Sequence, residues 1–157
     1  MKVKDVMKTD VGFCTTEDSL MKCADIMRLR DCGVVPVVDE DEKVVGMLTD
    51  RDLCLAIVAR NRKASDVLCK ELINRRAVVC SGDDKLENAL RKMRKYQIKR
   101  LAAVGKDGKL TGILSITDIM FSVRKNKDLK KEIYRALKMI FKPRPIVLRE
   151  VSADDKS

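Results

Sequence analysis

Thr49 and Asp52 stand three residues apart in the chain, and so do Ser115 and Asp118. A hydroxyl followed three residues later by an acid fits a capping box, in which the pair ties down the first amides of a helix. The same pair suits a second chemistry. A helix start presents unpaired N–H groups and a positive dipole end, a setting for phosphate. A hydroxyl there can donate to a phosphate oxygen. A carboxylate one turn on can accept from both hydroxyls of a ribose. The two uses are compatible. Both pairs sit in matching strings, GMLTDRDL at 46–53 and GILSITDI at 112–119. Each has a glycine, two apolar residues, the hydroxyl, two spacers, the aspartate and an aliphatic residue, 66 positions apart. Gly46 and Gly112 are expected to let backbone approach a ligand closely.

Other chemistries lack their residues. The 157-residue chain contains no histidine, so the usual general base near neutral pH is missing. No G-x-S-x-G, Walker A or paired-carboxylate motif occurs, and an enzyme is not expected. Cys14, Cys23, Cys32, Cys54, Cys69 and Cys80 form no C-x-x-C pair. Close pairs usually preset zinc chelation, so no metal site is expected. The cysteines read as small buried apolar residues kept reduced. No apolar run is long enough to span a membrane and the N-terminus has no signal-peptide core, so a cytoplasmic protein is expected. Aromatics are only 3% against 45% hydrophobic residues, which implies an aliphatic core.

The elements that position the two motifs repeat with them. Residues 11–58 align with 77–124 without a gap. Cys14 meets Cys80, Asp18 meets Asp84, Leu20 meets Leu86, and Met27-Arg28 meets Met93-Arg94. Upstream, Asp5-Val6-Met7 resembles Asp66-Val67-Leu68 at a spacing of 61, as if repeat two carried five extra residues. Helical spacing of apolar residues marks Ser19–Arg30 and Lys85–Tyr96. Gly33 is expected to end the first of these. VVPVVD and RLAAVG read as strands, EDEK and KDGK as turns, with Asp107-Gly108 a hairpin signal. VVGMLT and LTGILS return as second strands, and DRDLCLAIVA and ITDIMFSV as second helices. Neither repeat of about 60 residues buries much core alone. Two packed together can, and a pseudo-twofold pair makes two equivalent clefts.

The paired Gly-apolar-apolar-Thr/Ser-x-x-Asp pattern, with GVVPVVD and IKRLAAVG upstream, resembles a tandem CBS-domain (cystathionine β-synthase domain) module over about residues 1–124. The resemblance implies an α/β fold. Two β-α-β-β-α repeats, 1–62 and 63–124, pack as a pseudo-twofold pair, followed by a basic helix and tail at 125–157. It implies an adenosine nucleotide or S-adenosylmethionine-like regulatory ligand, no other cofactor, a homodimer, and sensing rather than catalysis. Carried over residue by residue, it places ribose on Asp52 and Asp118. Phosphate falls to Thr49 and Ser115, with the basic Arg51 and Arg100 beside them. The base falls to Thr15, Val34, Val35, Pro36, Ser81, Leu101 and Ala102. Val34 stands where Arg100 stands in repeat two, and Arg51 matches Thr117. Unequal affinities in the two clefts are therefore expected.

Net charge is +10, but Ser122–Pro145 holds nine Lys and Arg against two carboxylates, +7 of that total. Asp128–Phe141 is amphipathic, with Leu129, Ile133, Ala136, Leu137, Ile140 and Phe141 on one face. Pro143 and Pro145 stop the helix. IVLREV then reads as extended and SADDKS as frayed. The helix is expected to pack on the module or on a dimer mate, or to dock an effector protein, nucleic acid or an anionic membrane. Three functions remain: a nucleotide sensor, an interaction scaffold with vestigial clefts, and a basic nucleic-acid binder. Aromatics are too few for base stacking, and the charge sits in the tail, which weighs against the last.

Overall fold

The computed structural model describes residues 1–123 and 126–143. Repeat one runs β1 (Cys14–Thr15), α1 (Leu20–Leu29), β2 (Val34–Val38), β3 (Val44–Thr49) and α2 (Asp50–Val58). Repeat two runs β4 (Val79–Ser81), α3 (Leu86–Tyr96), β5 (Arg100–Val104), β6 (Leu110–Ser115) and α4 (Ile116–Ser122), and α5 (Lys127–Ile140) follows. Each repeat forms a three-stranded sheet, β1-β2-β3 or β4-β5-β6, with a parallel first pair and an antiparallel hairpin. No helix among the described residues is long and apolar enough to cross a membrane.

Local chemistry sets the element ends. The Ser19 hydroxyl accepts from the Lys22 amide and starts α1, which buries Leu20, Cys23 and Met27 on one face. Gly33 does not end this helix. Arg30 caps it and Asp31 takes the left-handed backbone at φ 46°. At the hairpin tips Gly108 adopts φ 84°, and Glu42 holds the equivalent place at φ 63° despite its side chain. Pro36 is tolerated in a middle strand because β1 reaches only Val37 and Val38. The tips meet across the repeats, where the Val44 amide donates to the Gly108 carbonyl at 3.2 Å.

The upstream register differs from the spacing of 61 read in the sequence. The Val3 amide donates to Asp84 O and Cys69 to Asp18 O; Lys4 donates to Gly82 O and Lys70 to Thr16 O. Every pair is related by 66, so no extra residues intervene. The partners also cross over. Val3, in a 3-10 turn (Val3–Asp5), packs in the core of repeat two. Cys69, in a turn at Cys69–Leu72, packs in the core of repeat one. Each lead-in therefore belongs in space to the other repeat's core, and the two repeats hold each other.

Helix α5 packs on repeat two and buries Leu129, Ile133 and Ala136 against the cluster around Leu86, Leu90 and Met93. The Gln97 side-chain Nε2 donates to Met139 O at 2.9 Å, and Lys99 lies 4.6 Å over the Phe141 ring. Lys130, Lys131, Arg135 and Lys138 remain on the exposed face. The segments IVLREV and SADDKS lie outside the described residues.

Candidate functional site

Both hydroxyl–acid pairs form where a strand runs into a helix. Thr49 ends β3 and caps α2; Ser115 ends β6 and caps α4. The Thr49 hydroxyl donates to Asp52 Oδ2 at 2.7 Å and accepts from the Asp52 amide at 3.2 Å. The Thr49 amide donates to the same Oδ2 at 2.9 Å. Ser115 and Asp118 repeat the arrangement, with the Ser115 amide at 3.0 Å from Asp118 Oδ2. Each box thus consumes one carboxylate oxygen and the hydroxyl proton. The second oxygen is left over. Asp118 Oδ1 faces the Lys8 ammonium at 3.9 Å, and the Asp118 side chain keeps 17% exposure. Asp52 Oδ1 takes no hydrogen bond or ion pair among the described residues.

The strand register brings Arg100 opposite Ser115, and Val34 opposite Thr49. Arg100 is exposed and Val34 is buried, so the two sites differ in charge at one matched position. Arg51 is exposed on the first turn of α2. Val35, Leu101 and Ala102 are fully buried, and Pro36 is buried beside them. Thr15 pairs with Val38, at the far end of β2 from Val34 and Thr49. Four residues of strand separate them, about 13 Å. Ser81 lies likewise opposite Val104, far from Ser115. Within one repeat the structure does not bring Thr15 or Ser81 to the carboxylate. The Thr15 amide instead donates to Asp18 Oδ2 at 2.7 Å, and the Ser81 amide to Asp84.

The two glycines serve another approach than the one expected. A Cβ on Gly112 would stand 2.7 Å from the Lys8 carbonyl oxygen and 2.9 Å from Met7 Sδ. On Gly46 it would meet Ile73 at 2.8 Å. The lead-in, not a ligand, occupies the space that each missing side chain opens. Lys8 bonds Ile113 in both directions at 2.9 Å. The chain then crosses from repeat two toward repeat one. Thr9, Val11 and Phe13 of this crossing line a cavity of about 250 Å³, with Val38 and Glu42 from repeat one, Lys109 from the second hairpin turn and Leu110 to Gly112 from β6. The cavity lies against the first half of β6, toward the hairpin tip, and Thr49, Asp52, Arg100, Ser115 and Asp118 do not line it. Lys8, Thr9, Val11 and Phe13 were not among the residues expected from sequence; extending the register of 66 upstream would have paired them with Asn74, Arg75, Ala77 and Val79.

The cysteines are not scattered in space. Cys14, Cys23 and Cys69 are fully buried, and their sulfurs all lie within 4.8 Å of one another. Cys54 departs from the expectation of burial and is exposed, and Cys32 is half-buried.

The CBS-domain model matches residues 3–59 and 69–125, two segments offset by the same 66. The chain belongs to the CBS-domain family. Among curated relatives of this CBS pair, the uncharacterised protein YlbB of Bacillus subtilis is 35% identical over 127 residues, 80% of this chain and 84% of that protein. Hypoxic Response Protein I, solved with two coordinated zinc ions, superposes at TM-score 0.72 with 25% identity, covering 79% of this chain and all of that one. The CBS domain pair of protein MJ0100, in complex with 5-methylthioadenosine and S-adenosyl-L-methionine, superposes at TM-score 0.68 with 26% identity, covering 78% and 94%.

Proposed function

We propose that this CBS pair is a regulatory module that binds an adenosine ligand between its repeats and passes the binding state to a separate partner. The observation that carries the reading is the second carboxylate oxygen of Asp52 and Asp118, left over by a complete capping box in both repeats. A cap alone needs one oxygen. A ribose needs an acceptor fixed in place, and the box fixes it. Arg100, beside Ser115, supplies the positive charge for a phosphate in cleft two, with Lys8 next to Asp118. Repeat one has Val34 at the matched place and relies on Arg51, so cleft two is the tighter site for a phosphorylated ligand. The base lies against the crossing lead-in, around Thr9 and Val11, and against the backbone of the first hairpin strand. The MJ0100 pair, with its two adenosine-containing ligands, supports the ligand class. A ligand that favours one packing of the repeats over another shifts that balance by its differential affinity. The absence of histidine and of any nucleophile motif supports binding without catalysis.

A second reading has its own observation. The Thr49 and Ser115 hydroxyls already give their protons to the aspartates, which is all a helix cap requires. On that reading the chain is a scaffold with vestigial clefts. Thermal unfolding against AMP, ADP, ATP, S-adenosylmethionine, 5-methylthioadenosine, NAD and cyclic dinucleotides separates the two. A ligand at 100 times its Kd adds about 2.7 kcal/mol, a rise on the order of 5–10 °C for a chain of this size. Asp118→Ala abolishes the rise at cleft two and also lowers stability through the lost acid of the capping box. Asp52→Ala carries the same cap cost and leaves cleft two responsive. A cap cost in both variants without a ligand response in the native chain establishes the scaffold.

A further inference from the structure

Cys14 comes from β1, Cys23 from α1, and Cys69 from the 3-10 turn that leads into repeat two. Three elements distant in sequence thus converge on one point in an otherwise aliphatic core, among Leu20, Val35, Val37 and Leu48. The fold does not demand sulfur there. In repeat two the same three places hold Cys80, Ala89 and Val3, all as well buried. A core of equal burial is built with one thiol, so packing alone does not account for three.

We propose that Cys14, Cys23 and Cys69 form a binding site for one divalent thiophilic ion of the zinc and cadmium class. Three thiolates around zinc at bonds of about 2.3 Å place their sulfurs about 4 Å apart. The observed separations, all within 4.8 Å, need only a small contraction. Charge selects the valence. Three thiolates and a divalent ion leave one net negative charge, beside the Lys22–Asp18 ion pair whose ammonium field reaches Cys14 and Cys69. A monovalent ion leaves two negative charges in an apolar core, at far greater cost. On binding, each metal–sulfur bond forms as that sulfur gives up any proton it carries to solvent; nothing is oxidised. The donor set holds no histidine, and among the described residues the one oxygen bonded to the trio is Ser19 O, 3.9 Å from Cys69 Sγ. A three-sulfur site of this kind favours the softer cadmium over zinc. The bound ion ties the turn that opens repeat two to the core of repeat one.

The test is a titration of the full chain, reduced with a phosphine and stripped of metal, with cadmium chloride. The ultraviolet thiolate-to-cadmium band grows to one ion per chain, and zinc competes with it. Repeat two supplies the substitutions least disturbing to the fold. Cys23→Ala and Cys69→Val remove the band, and Cys80→Ala keeps it at one ion. A separate readout needs no variant: the metal shields Cys14, Cys23 and Cys69 from alkylation on brief unfolding, and leaves exposed Cys54 reactive. A folded, reduced chain with no band, a band retained in both Cys23→Ala and Cys69→Val, or no shielding of the trio overturns the site.

Discussion

Asp18 and Asp118 show how one residue type is assigned different work by its surroundings. The Asp18 carboxylate accepts the Thr15 amide at 2.7 Å and the Lys22 ammonium at 2.8 Å, so both its oxygens serve the turn before α1. Asp118 spends one oxygen on its helix and keeps the other toward Lys8. Burial by itself raises the Asp18 carboxyl, but the Lys22 ammonium and the Thr15 amide outweigh it and hold the group below its ordinary 3.8. A carboxyl depressed in the folded state contributes stability that is complete above the unfolded value and is lost as pH falls through the folded one. Urea unfolding midpoints are therefore expected to fall below about pH 3.8, and Asp18→Asn to flatten that part of the acid limb while lowering the midpoint at neutral pH. An unchanged acid limb in the variant assigns the acid sensitivity to other carboxyls.

At the scale of elements the two glycines make a matched pair with unequal neighbours. Gly112→Ala drives a Cβ into the Lys8 carbonyl, backbone that is pinned by two hydrogen bonds to Ile113. Gly46→Ala meets the Ile73 side chain, which can rotate aside. Overpacking of this kind costs about 1–3 kcal/mol when the neighbour cannot yield. Gly112→Ala is expected near the top of that range and Gly46→Ala near or below its foot, by urea unfolding of the two variants side by side. Equal losses place the strain in the strand itself. The same crossing marks where sequence reading stopped. Helices α1 and α3 were legible because Leu20, Met27, Leu86, Leu90 and Met93 recur at helical spacing behind an N-terminal boundary, and their bounds fall within one residue of expectation. The motif at Thr49 and Ser115 was legible because it repeats, and its capping geometry is as read. The 3-10 turns at Val3 and Cys69 have three or four residues and no periodicity. Their pairing is fixed by amides that reach the opposite repeat, so the false spacing of 61 had nothing local to contradict it. Convergence of Cys14, Cys23 and Cys69 depends on that same exchange and was hidden with it.

For the whole molecule, the exchange of lead-ins makes the pair a single body, and its outer helices carry exposed apolar side chains. Under the offset of 66, Leu55 on α2 corresponds to Phe121 on α4, with exposures of 52% and 82%. Met120, its neighbour on α4, is 45% exposed and answers to Cys54, which is exposed. Large apolar side chains at matched places on two pseudo-equivalent helices suit a partner that is itself pseudo-symmetric. A second copy supplies such a face, helix against helix, whereas scattered exposed apolar residues need no such match. The basic α5 sits against repeat two, so its charge lies beside this face without replacing it. Sedimentation equilibrium is expected to give a dimer for the native chain and a monomer for the double variant Leu55→Lys, Phe121→Lys, with the helical circular dichroism of the repeats retained. A native chain that sediments as a monomer at micromolar concentration leaves these side chains to a different protein. A double variant that stays dimeric moves the contact off α2 and α4.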